Sequence, residues 1–186
     1  MNWTIKSLMV TSLIIALAIP VNAALLDRGN GLIYDEDLHI TWLQNANYAG
    51  MTMAWEEANT WASNLIFQGY EDWRLPEFDC TDGSCTNGEM GHLYTSEGIS
   101  SSSPGLFIDV RPSIYWSGNI SSEDASQAWR FNFKYGSDGT SDLDQSRYAW
   151  AVRDGDITPP VAPEPISSLL FLTGGATIGI RRFFTT

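Results

Sequence analysis

Histidine, cysteine and positive charge are all scarce in this 186-residue chain. It has two histidines, two cysteines and ten lysines plus arginines, against 22 aspartates plus glutamates, for a formal net charge of −12 at pH 7. His39 and His92 are the only imidazoles, and neither stands in an H-E-x-x-H or another metal-ligand spacing. A G-x-S-x-G elbow and a glycine-rich phosphate loop are missing too, so no common catalytic signature is present. Three of the cations, Lys6, Arg181 and Arg182, sit in the end segments, which leaves the middle of the chain heavily acidic. Nucleic acid and other polyanions are therefore disfavoured partners, because phosphate binding needs a clustered basic face. No apolar run reaches the roughly 20 residues of a membrane span, which argues against a multi-pass protein. What is present is 44% hydrophobic and 12% aromatic residues, enough for one globular domain of about 135 residues between two trimmings.

The trimmings are read from order. Lys6, the apolar run Leu8 to Ile19, Pro20 and the small residues Val21 and Ala23 are the parts of an export signal, with cleavage expected after Ala23. Export makes disulfides permissible. At the other end, residues 157–165 form a proline-rich linker that has to be extended. Residues 166–186 follow, with an uncharged stretch from Ile166 to Ile180 and then Arg181 and Arg182. Fifteen helical residues rise about 22 Å against roughly 30 Å of hydrocarbon, so this stretch is a marginal span whose arginine pair keeps the C-terminus inside.

Pro163, Glu164 and Pro165, followed by a short apolar run and the pair Arg181 and Arg182, resemble the PEP-CTERM sorting signal. The resemblance implies a bacterial host and an exosortase-type processing enzyme as partner. It also implies tethering to the inner membrane through the tail before delivery to the cell surface or extracellular matrix. Phe183 and Phe184 stand where that family has a more basic end.

Residues 24–156 form the exported domain. Leu32 to Asp35 and His39 to Gln44 read as a hairpin. Thr52 is a candidate N-cap for a helix in which Ala54, Ala58, Trp61, Ala62 and Leu65 recur at helical spacing, with Gly69 as its stop. Tyr70 to Pro76 reads as extended, Glu89 to Thr95 as a second helix, and Ile114 to Ser117, Ala128 to Tyr135 and Tyr148 to Arg153 as strands. The pattern predicts an α+β fold: an antiparallel sheet covered by two helices, with long loops.

The landmarks GLIYDEDLHITWLQ, AWEEANTWASNL, GYEDWRLPE, GEMGHLY, IYWSG, AWRFNF and YAWAVRDGD, in this order, resemble the Lcl C-terminal-domain-like family over nearly all of Leu25 to Asp156. That resemblance implies a C-type-lectin-like topology related to the sulfatase-modifying fold. The family pattern falls on Asp72, Trp73, Arg74, Leu75 and Pro76, on Trp116 with Ser117, and on Val152 with Arg153. The favoured reading of these residues is structural: the tryptophans are core, and Arg74 and Arg153 pair with carboxylates such as Asp72 or Asp35. The alternative is an aromatic ligand platform. Some relatives bind sulfated glycans through basic surfaces, a ligand this acidic chain should not be assigned.

Cys80 and Cys85 enclose an Asp-Gly turn pair and are expected to form a disulfide, in preference to a redox or copper thiol pair. Glu89 and His92 stand three apart on the second predicted helix. With Asp79 or Asp82 they are candidates for a metal or acid-base site, against the plainer reading of a dipole-favoured Glu and a packed His. Asp138, Asp142 and Asp144 in a glycine-containing loop are candidate calcium ligands, although the regular calcium-loop spacing is absent and a solvated turn is the favoured reading. The leading expectation is a non-catalytic surface or matrix module that binds envelope or extracellular polysaccharide. The alternatives are an enzyme of the sulfatase-modifying or metal-dependent type, and a purely structural matrix protein.

Overall fold

A polar turn between two short apolar runs seeds the first sheet. The computed structural model describes residues 25–78 and 88–157. In chain order these form β1 (Leu25–Gly29), β2 (Leu32–Asp35), β3 (Ile40–Leu43), α1 (Trp55–Ser63), α2 (Glu89–Thr95), β4 (Ile114–Ile120), β5 (Gln127–Asn132), β6 (Ser137–Asp142) and β7 (Val152–Asp154). The class is α+β, with two helices and two antiparallel sheets among the described residues. Where one sheet was expected there are two, ordered β1-β2-β3-β7 and β4-β5-β6.

The division has a physical cause in the last segment of the domain. Tyr148 exchanges backbone hydrogen bonds with β4, donating to the Ile114 carbonyl at 3.1 Å and accepting from Trp116 at 2.9 Å. Three residues later Ala151 accepts from Leu43, and Val152 enters the first sheet beside β3. One extended run thus bonds to both sheets, first to β4 and then to β3. The strand expected over Tyr148 to Arg153 is for this reason counted only from Val152 to Asp154.

The core lies where the sheets and helices meet, and it is aromatic. Trp42, Phe107, Tyr115, Phe133 and Trp150 are all buried. Trp150 sits at their centre, with ring centroids 5.0 Å from Trp42, 4.9 Å from Phe107, 5.9 Å from Tyr115 and 5.7 Å from Phe133. Its indole N–H donates to the Leu43 carbonyl at 2.7 Å, so the polar end of the ring is satisfied in the dry interior. A second cluster, Met53, Ala58, Ala62, Leu75, Trp116, Ala128 and Ala149, holds α1 against β4 and β5 through small residues that permit close approach.

Helix α1 begins two residues later than Thr52 allows. Ala54 is its N-cap, and the Glu57 carboxylate reaches back to accept from the Ala54 N–H at 3.1 Å. It ends at Asn64, well before Gly69. Between β5 and β6 the turn closes on Gly136, whose φ of +63° and contact with the Tyr94 ring leave no room for a side chain. No helix among the described residues is long and apolar enough to cross a membrane.

Candidate functional site

The segment Asp72 to Leu75 is extended and alternates in burial, and Pro76 after it is buried too. Trp73 and Leu75 point into the two core clusters, while Asp72 and Arg74 turn outward. Arg74 exchanges both backbone hydrogen bonds with Val152, at 2.8 and 2.9 Å. The Arg153 guanidinium grips Asp72 with two 2.7 Å hydrogen bonds and lies over the Tyr70 ring, 4.7 Å from its centroid. That grip holds the Asp72 carboxyl below the usual carboxylate range. On the other side Pro76 accepts from the Gly118 N–H at 2.9 Å, and Ser117 accepts the Trp55 indole N–H at 2.8 Å. Residues joined across as many as 81 positions thus meet in one node that welds β7, β4 and the start of α1.

Arg74 sends its side chain to Glu89 at the start of α2 as a bidentate pair, at 2.8 and 2.9 Å, and to Asp154 at 2.6 Å. The carboxylates that pair with the two arginines are therefore Asp72, Glu89 and Asp154; Asp35 pairs with neither. Burial alone would lower the Arg74 pKa, and its carboxylate partners more than reverse this. Glu89 is fully occupied, because its second oxygen also accepts from the Glu77 N–H. It is therefore not a partner of His92, as the spacing on α2 had suggested.

His92 has other company. Its Nε2 lies 3.6 Å from Asp37 Oδ2, 3.6 Å from Glu97 Oε1 and 3.8 Å from Asp35 Oδ1, beyond hydrogen-bond length in every case. Asp35 closes β2, Asp37 sits in the β2–β3 turn, and Glu97 follows the C-terminal end of α2. Asp35 is 2% exposed at its side chain, and its Oδ1 accepts from the Asp37 and Leu38 N–H groups at 3.1 Å. Its Oδ2 and the His92 Nε2 are both buried with no hydrogen-bond partner. Burial pushes the Asp35 carboxyl up, against its two backbone donors and His92; burial and then Asp35 itself push Glu97 up. His39, the other imidazole, shares a 3.1 Å hydrogen bond with the Tyr34 hydroxyl.

The outer face of α1 borders an open groove lined by Glu56, Glu57, Thr60, Trp61, Asn64 and Leu65, with Ile66 at its end. Trp61 is half-buried, packed against both core clusters with part of its ring open to the groove. The helical spacing placed Trp61 with the core stripe. Its neighbours Glu57 and Asn64, four before and three after on the helix, were the signal that this tryptophan stands at the border of the polar face.

Asp138 and Asp142 lie on strand β6, both exposed, and Asp144 in the turn after it. The loop expected to present them as calcium ligands is thus largely a strand, and Asp142 accepts a hydrogen bond from the Gln127 side chain at 2.9 Å. Cys80, Cys85, Asp79 and Asp82 lie outside the described residues, as do the export signal, the Pro163 to Pro165 motif and the tail with Arg181 and Arg182.

No curated protein matches the chain. The sequence model of the Lcl C-terminal domain matches residues 31–153, from just before β2 into β7. That stretch contains both helices, all of the β4-β5-β6 sheet, the other sheet apart from β1 and Asp154, and the Arg74–Val152 node, and on this match the chain belongs to the Lcl C-terminal domain family.

Proposed function

We propose that this is an exported, non-catalytic surface module of C-type-lectin-like topology that binds a neutral polysaccharide along the groove of α1. The observation that carries the reading is the lining of that groove. A partly exposed indole, Trp61, sits among the exposed side chains Glu56, Thr60 and Asn64. An aromatic face packs against the C–H face of a sugar ring, while carboxylate and amide groups beside it hydrogen-bond hydroxyls. The net charge of −12 favours a neutral over a sulfated glycan. The test is glycan binding by the parent protein and by variants at Trp61 and Glu56.

Delivery belongs to the same proposal. The Pro163-Glu164-Pro165 motif and the tail after it act as an address read by an exosortase-type enzyme, with tethering to the inner membrane before release to the surface or matrix. Glu164→Ala keeps the apolar run and the arginine pair, so it separates recognition from anchoring. Cell fractionation should show the variant retained, unprocessed, with the membrane. Processing like that of the parent would reduce the tail to an anchor.

A further inference from the structure

We infer that Asp37, His92 and Glu97 form a divalent-cation site, best matched to zinc, seated on the buried carboxylate of Asp35. The geometry is the first ground. One ligand atom from each of the three residues lies within 4.8 Å of the others, and Nε2 of His92 stands 3.6 Å from both carboxylate oxygens. Atoms bound to one four-coordinate ion at about 2.0 to 2.2 Å are about 3.3 to 3.6 Å apart. The two spacings from His92 are too long for hydrogen bonds and right for ligands that share an ion, and the carboxylate oxygens lie within 4.8 Å of each other.

The second ground is an unpaid electrostatic debt. Three carboxylates converge on one imidazole, and among the described residues their ion pairs run to that imidazole alone. Asp35 Oδ2 and His92 Nε2 are buried and unpartnered, which is costly for a carboxylate and for a ring nitrogen alike. A dication bound by Nε2 removes the second orphan directly and neutralises most of the charge that isolates the first. Asp35 then acts from beneath as a positioning residue, its Oδ1 fixed by the two N–H groups of the β2–β3 turn that carries Asp37.

The donor set selects the ion. One imidazole nitrogen with carboxylate oxygens suits zinc, whereas calcium prefers oxygen alone. Three protein ligands leave a fourth position, and the half-exposed Asp37 marks the side from which solvent reaches it. The ion would tie the β2–β3 turn to the end of α2, two pieces of chain that no strand pairing joins.

Isothermal titration of the metal-free full chain with zinc chloride and, separately, calcium chloride tests this, with circular dichroism as the check on folding. The expected result is one zinc per chain, bound more tightly than calcium, and a melting temperature that rises with the logarithm of zinc concentration. Glu97→Gln and Asp37→Asn should each weaken zinc roughly tenfold or more while leaving the metal-free fold intact, and His92→Gln should abolish it. If His92→Gln fails to fold, the two carboxylate variants carry the comparison. A Cys80→Ser, Cys85→Ser double variant should bind zinc like the parent. Loss of zinc in that double variant would assign the metal to the thiols and overturn the proposal. So would zinc affinity unchanged by Glu97→Gln and Asp37→Asn, or no zinc binding at all, which would leave His92 and its carboxylates as neighbours that share no ion.

Discussion

Replacing Trp150 by alanine is expected to leave the domain at or beyond the edge of unfolding. Its indole is fully buried among Trp42, Phe107, Tyr115 and Phe133, and the run that carries it bonds to both sheets. Truncating a buried tryptophan costs about 3 to 5 kcal/mol, against the roughly 5 to 15 kcal/mol that a domain of this size has in hand. Here the loss falls at the high end, because the Leu43 carbonyl also loses its donor. Trp150→Phe separates the two contributions: it keeps most of the ring, leaves that carbonyl unpaired, and should cost about 1 to 3 kcal/mol. Urea unfolding monitored by fluorescence and circular dichroism measures both. A Trp150→Ala protein within about 1 kcal/mol of the parent would mean that the two sheets are not held together by this aromatic centre.

The second large effect is expected at Arg74. Its side chain is 27% exposed and that of Glu89 15%, so their bidentate pair is mostly shielded from water, whereas Asp154 at 79% adds little. Arg74→Ala leaves the Glu89 carboxylate with only the Glu77 N–H for company, and the expected loss is about 3 kcal/mol, the lower end for a broken buried pair. Arg74→Lys should recover only part of this, since an ammonium cannot reproduce the two-pronged grip. In Arg74→Ala with Glu89→Gln, the combined loss should be clearly smaller than the sum of the single losses. Additive losses would show that the pair is a neighbourly contact and not a coupling between the Asp72–Pro76 segment and α2.

Those two sites also show what the sequence made legible. The hairpin of β2 and β3 and the helix Glu89–Thr95 follow from local apolar spacing, and the structure has them. Strand β6 does not follow from it: Ser137–Asp142 is Ser-Asp-Gly-Thr-Ser-Asp, with no apolar alternation, and it is a strand because all six residues pair with β5. Strand β1 was hidden in a similar way, five residues whose register is set by β2. The ion pairs were half legible. That Arg74 and Arg153 need carboxylates follows from chemistry, but Glu89 is fifteen positions from Arg74 and Asp72 is 81 from Arg153, and only the fold decides which acid arrives. The same holds at His92. Its place on a helix was readable, yet Asp35 and Asp37 reach it from the end of β2 and the β2–β3 turn, and no spacing along the chain encodes that meeting.

The account stands or falls on the groove along α1. Its most direct test is the binding of purified protein to an array of neutral bacterial polysaccharides, with parent, Trp61→Ala and Glu56→Ala compared at equal concentration and with melting temperatures measured alongside. Because Trp61 also packs on the core, the exposed Glu56 provides the variant that leaves the fold untouched. The expected result is saturable binding by the parent, a loss of roughly tenfold or more for Trp61→Ala, and a smaller loss for Glu56→Ala with an unchanged melting temperature. Parent protein that binds no glycan, or two folded variants that bind as the parent does, would contradict it.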